Sequence, residues 1–209
     1  MPDFRLYFVT DRKQTNGRPL VEVVHAALDG GLQAVQLREK DLEGGELYRL
    51  ASALRELTAR YQAKLLINDR LDVALAVDAD GVHLGQASVP VSTARQLLGL
   101  QKLIGVSTHS LDEVAAAAGA DFVVFGPVYF TPSKAEYGDP QGIDQLRAAV
   151  QHSRMPVLAL GGIKLAQIPE VLATGAHGIG VITAISAASD PTQATRKLLE
   201  NLASFRGSH

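Results

Sequence analysis

Eight times along this chain, a short run rich in Val, Ile and Leu gives way to a longer amphipathic stretch. The candidate strands are residues 6–10, 34–38, 64–68, 81–84, 103–107, 121–126, 156–161 and 178–182. Their apolar content is nearly continuous, as expected of strands buried on both faces of a parallel sheet. Residues 46–61 place Leu47, Leu50, Leu54 and Leu57 three and four apart, which forms one apolar helix face. Helical patterns also fill 20–29, 70–77, 92–98, 111–118, 143–152, 166–173 and 191–204. Gly30, Gly119 and Gly175 follow helices, where a left-handed C-cap is expected. Parallel strands need crossover helices, and eight β-α units can close into a (β/α)8 barrel. The 209 residues shared among eight units give about 26 each, the short end of that fold. A doubly wound open sheet would leave two edge strands, yet the first and last runs are as apolar as the central ones. The expectation is therefore an α/β protein with one TIM-barrel domain over residues 1–209, its last few residues disordered.

Charge and composition narrow the function classes. Twenty basic and 22 acidic side chains give a formal charge of −2, with no basic stripe of the kind nucleic acid requires. No apolar run approaches the roughly 20 residues that span a bilayer. The start, Met-Pro-Asp-Phe-Arg, lacks the pattern of a secretory signal. There is no cysteine, which excludes disulfides, thiolate metal sites and a cysteine nucleophile. The expectation is a cytoplasmic protein acting on small molecules, with homo-oligomerisation left open.

In such barrels the site lies at the C-terminal strand ends, and polar residues cluster there. Strand two ends in Gln36-Leu37-Arg38-Glu39-Lys40. Alternation turns Gln36, Arg38 and Lys40 to one face and Leu37 and Glu39 to the other. Strand three ends in Asn68-Asp69, a carboxylate that suits Mg²⁺ or caps the next helix. Strand five runs into Ser107 and His109, a histidine placed to carry a proton near neutral pH. Thr131, Ser133 and Lys134 belong to the longest connection, residues 127–141, which reads as a mobile loop. Gly161-Gly162 after strand seven, with Ile182 and Thr183 after strand eight, suggests a phosphate cradle. Gly162 is expected to let an anion approach the backbone closely. His83, inside strand four, reads as a satisfied core group. No histidine pair has a zinc-site spacing.

Seven segments occur in order and carry a family likeness: residues 36–40, Asn68-Asp69, 81–86 (Gly-Val-His-Leu-Gly-Gln), 105–109, 125–129, 131–134 and 161–163. From about Leu6 to Ile185 the chain resembles the thiamine phosphate synthases (thiamine-phosphate pyrophosphorylases) and their relatives, the thiazole tautomerases. The resemblance implies a transferase of thiamine biosynthesis that joins a hydroxymethylpyrimidine diphosphate to a thiazole phosphate. It places Gln36, Arg38, Lys40, Asn68, Ser107 and Lys134 around the pyrimidine diphosphate, and Asp69 on Mg²⁺. It places Thr131, Ser133, Gly162, Ile182 and Thr183 around the thiazole phosphate. Arg38, Lys40 and Lys134 would be the catalytic cations. In the tautomerase alternative, His109 would move the proton. One position departs from the family pattern: Ser88 stands where a second acidic metal ligand is usual.

Overall fold

A computed structural model describes residues 2–131 and 140–205. Eight strands follow one another in the order of the sequence: β1 (Leu6–Val9), β2 (Ala34–Leu37), β3 (Lys64–Asn68), β4 (Gly81–Leu84), β5 (Leu103–Thr108), β6 (Phe122–Phe125), β7 (Val157–Leu160) and β8 (Gly178–Val181). Each pairs in parallel with the next, and β1 pairs with β8, so the sheet closes. The open-sheet alternative is thereby excluded, and the expected (β/α)8 barrel is the observed one.

Period two decides what the barrel contains. In β1, Leu6 and Phe8 pack outward with the helices, whereas Tyr7 and Val9 join a separate interior cluster. That interior holds Phe4, Ala34, Leu66, Phe122, Val124 and Leu158. The inward column turns polar toward the strand ends. Ala34 is followed by Gln36, Leu66 by Asn68, Gly81 by His83, and Gly105 by Ser107. Gly105 leaves space for its neighbours, since a Cβ there would come within 2.7 Å of His83 Nδ1.

The outer layer comprises α1 (Leu20–Asp29), α2 (Gly44–Arg60), α3 (Leu71–Ala76), α4 (Val91–Leu98), α5 (Leu111–Ala116), α6 (Gly142–His152), α7 (Ile168–Leu172), α8 (Thr183–Ser186) and α9 (Pro191–Ser204). In α2 the expected stripe is buried, with Leu47, Leu54 and Leu57 in the core and Leu50 packed against it.

Several expectations need correction. The pattern over 166–173 resolves into a 3-10 turn at Leu165–Gln167 and the short α7. Pro169 lacks an N–H and fits only the first turn of a helix, so it fixes where α7 begins. Gly30 is not a left-handed cap: its φ is −77°, and Gly31 at +96° takes that conformation. Gly30 instead permits close packing against α9, where a Cβ would lie 2.6 Å from the carbonyl oxygen of Thr192. Gly119 and Gly175 do have positive φ, at 95° and 90°. Asn68-Asp69 does not cap α3, whose N-cap is Arg70 without a side-chain bond. The 3-10 turn Arg12–Gln14 and helix α8 are too short to leave a periodic signature.

Candidate active site at the C-terminal mouth of the barrel

A cleft of about 830 Å³ opens at the C-terminal strand ends. Arg38, Lys40, Asn68, Ser107, His109, Thr131, Gly162, Ile182 and Thr183 line it. Nine of the expected site residues thus meet in one wall. Ser133, Lys134 and residues 207–209 lie outside the described residues, as does most of the long connection after β6.

The cations are set by the alternation of residues 36–40. Glu39 turns away from the cleft and is buried, accepting from the Thr10 hydroxyl at 2.7 Å and pairing with Arg12 at 3.2 Å. Thr10 Oγ1 also accepts from the backbone N–H of Arg38 at 2.9 Å, which pins the turn. Arg38 and Lys40 face the cleft, and neither makes an ion pair among the described residues. Two uncompensated cations in a concave wall raise the local potential for an anion.

Gln36 is buried and does not reach the cleft wall. Its amide donates to Asn68 Oδ1 at 2.9 Å, which orients Asn68. Asn68 in turn donates to Asp69 Oδ2 at 2.7 Å. Asp69 holds a left-handed φ of +60°, unusual for a residue other than glycine. Its Oδ1 accepts from the Ser88 hydroxyl and from the backbone N–H of Gly85 at 3.3 Å. Gly85 N–H also donates to Ser88 Oγ at 2.7 Å. Asp69 and Ser88 therefore sit together, half-exposed beside the cleft wall and not in it. Among the described residues, no three His, Cys, Asp or Glu groups converge as a metal site.

His109 Nδ1 meets the carbonyl oxygen of Gly126. A carbonyl only accepts, so Nδ1 is the donor in this bond. The cap of α5 is Ser110, which accepts from Glu113 N–H, so His109 has no capping role. His83 is a satisfied core group, as expected: Nδ1 meets Tyr7 Oη at 3.3 Å and Nε2 meets Ser107 Oγ at 2.9 Å. Burial depresses its pKa from 6.5 to about 3, with Asp69 opposing and Arg38 adding to the shift, so the ring is neutral.

Gly161 and Gly162 have φ of +101° and +66°. Their spare room differs from the expectation. A Cβ on Gly162 would come 2.6 Å from the Phe130 carbonyl oxygen and 2.9 Å from Tyr129 Cβ. Gly162 thus fits this turn against the connection after β6, a constraint that holds with no anion present. Sequence reasoning missed Phe130, Lys164, Gln193 and Lys197, which also line the cleft. Lys164 follows the Gly-Gly pair closely enough to have been suspected. Gln193 and Lys197 lie on α9, and only the packing of that helix over the mouth brings them in.

Fold and site define a (β/α)8-barrel protein whose mouth is lined by cations, hydroxyls and a glycine turn. The family model for thiamine monophosphate synthase matches residues 6–185, and the chain belongs to that family. The thiamine-phosphate synthase of Moorella thermoacetica is 44% identical over 209 residues, covering 99% of this chain and 100% of its own length. A Geobacter sulfurreducens protein, provisionally named as a thiamine-phosphate synthase, is 58% identical over 199 residues, covering 94% and 93%. Among solved structures, the thiamine phosphate pyrophosphorylase from Pyrococcus furiosus superposes with a TM-score of 0.86 at 40% identity, covering 95% of each chain.

Proposed function

We propose that this protein is a thiamine phosphate synthase, a transferase joining 4-amino-5-hydroxymethyl-2-methylpyrimidine diphosphate to thiazole phosphate. The thiazole nitrogen forms a bond to the pyrimidine methylene carbon, the carbon–oxygen bond to the diphosphate breaks, and pyrophosphate leaves. The observation that carries this reading is that Arg38 and Lys40, without an ion pair among the described residues, face the cleft while Glu39 is turned away and paired with Arg12. Negative charge grows on the departing diphosphate, and fixed cations placed there lower the barrier. Lys134 is proposed as a third cation, on the family likeness alone. Gly162, Ile182, Thr131, Ser133 and Thr183 are proposed to hold the thiazole phosphate. No protein nucleophile is required, because a pyrimidine cation formed by ionisation is captured directly by the thiazole.

A divalent cation fits here only in partnership with substrate. Asp69 offers one carboxylate and Ser88 a neutral hydroxyl, so substrate phosphate oxygens and water would supply the other ligands of a bound Mg²⁺. When bound, Mg²⁺ supplies charge neutralisation at the diphosphate. Asp69 would hold it, and Asn68 and Ser88 would orient Asp69. The relatives reported above carry the synthase name, and the tautomerase alternative is not favoured. The test is to supply both phosphorylated precursors with Mg²⁺ and read thiamine phosphate by fluorescence after oxidation. Product that depends on both precursors is the expected result. Double-bond migration in the thiazole carboxylate without metal, and no thiamine phosphate at any Mg²⁺ level, would replace this reading with the tautomerase.

A further inference from the structure

A chain of three polar groups runs up the barrel interior, from Tyr7 on β1 through His83 on β4 to Ser107 on β5. Only its last member lines the cleft. Tyr7 is 0% exposed and His83 1% exposed. The phenol stands among rings: it stacks on Phe4 and meets Phe122 edge-on, each with centroids 5.5 Å apart. Among the described residues its only hydrogen-bond partner is His83 Nδ1. Burial raises the Tyr7 pKa well above 10, so the hydroxyl keeps its proton.

Two arrangements of protons are possible along the chain, and they present opposite faces to the ligand. If Nδ1 carries the ring proton, it donates to Tyr7 Oη, and the phenolic hydrogen is left without an acceptor in an apolar cluster. Ser107 must then donate inward to Nε2, and only its lone pairs face the cleft. If Tyr7 donates to Nδ1, the ring proton sits on Nε2 and donates to Ser107 Oγ. Every buried donor is then used, and the Ser107 hydrogen is directed outward. The first arrangement strands a buried O–H, which costs about 1–3 kcal/mol, and the second strands none.

We infer that Tyr7 and His83 are positioning residues that make Ser107 Oγ the acceptor of the His83 Nε2–H, and so leave the Ser107 hydrogen free to be donated toward the cleft. A hydrogen held available at that point favours a group that can only accept, such as a phosphate oxygen, which the opposite arrangement of protons would meet with lone pairs alone. On the reading proposed above, this group is a diphosphate oxygen of the pyrimidine substrate, and the arrangement discriminates by polarity where Arg38 and Lys40 discriminate by charge. Gly105 makes it possible, because a side chain there would displace the His83 ring.

The tautomer can be read directly. Multiple-bond ¹H–¹⁵N correlation on the labelled protein at neutral pH should show His83 with a protonated Nε2 and an unprotonated Nδ1. A protonated Nδ1 would overturn the inference whatever the enzyme's reaction proves to be. Tyr7→Phe removes the donor that fixes the ring, so the same spectrum should show both tautomers. Inorganic pyrophosphate with Mg²⁺ should bind Tyr7→Phe and Ser107→Ala each about 3–10-fold more weakly than the parent. The double variant should lose little more than either single one, because both act through one bond. Equal affinity in Tyr7→Phe and the parent, with the tautomer mixture present, would also overturn it. If the parent itself does not bind pyrophosphate, the diphosphate assignment fails, and the spectrum alone decides the polarity.

Discussion

Glu39 stands between two cations in sequence and apart from both in space. A strand's two-residue period sends it to Thr10 and Arg12 while Arg38 and Lys40 face the cleft. That much is legible from five letters of sequence, because alternation is a local rule. What Glu39 bonds to is not legible, since Thr10 and Arg12 come from the preceding strand end and meet it only after pairing. The same holds for Gln36, whose partner Asn68 lies 32 residues away. Neither Arg38 nor Lys40 has an ion-pair partner to lose among the described residues, so their removal should be felt in catalysis and not in folding. Arg38→Ala or Lys40→Ala is expected to lower kcat by about 10²–10³-fold, the usual effect of deleting one group that stabilises developing charge. Each should melt within a few degrees of the parent. Steady-state kinetics with both precursors, alongside thermal unfolding, measures the two effects separately.

At the scale of elements, the strands and long helices were readable because burial imposes a period on them. Helix α8, with four residues, and the 3-10 turn Arg12–Gln14, with three, are too short to repeat a period, so they left no trace. The contribution of α9 to the cleft depends on how a whole helix lies over the mouth, which periodicity does not encode. The glycine turn after β7 shows how a correct position can carry an incomplete reason. Its place at the site was legible from the strand order, but the neighbour that excludes a side chain is the segment after β6. Gly162→Ala therefore strains a positive φ and presses on backbone atoms. It should destabilise the fold by about 1–3 kcal/mol even in the absence of ligand. Denaturant unfolding of the free protein checks this, and an unchanged midpoint would restore the anion as the main reason for glycine.

Across the whole molecule, the closed barrel keeps His83 neutral, and this fixes a sign for its response to acid. The unfolded chain takes up a proton near pH 6.5 that the folded chain refuses until about pH 3. Stability from this residue is complete above pH 6.5. It should fall by about 1.4 kcal/mol per pH unit between those limits. His177, its pKa lowered chiefly by burial, acts in the same direction. Chemical denaturation from pH 7 down to pH 4 should show this slope, and His83→Gln should flatten it. Closure has another consequence, which concerns time. Leu6 pairs with Ile179, and Arg5 donates to the carbonyl oxygen of His177 across 172 residues of chain. During synthesis the first strand emerges long before its last neighbour exists. Until β8 arrives, one side of β1 presents unpaired N–H and C=O groups, a template for the wrong partner. The ring that leaves the finished protein without an exposed edge obliges the growing chain to carry one until β8 has been made.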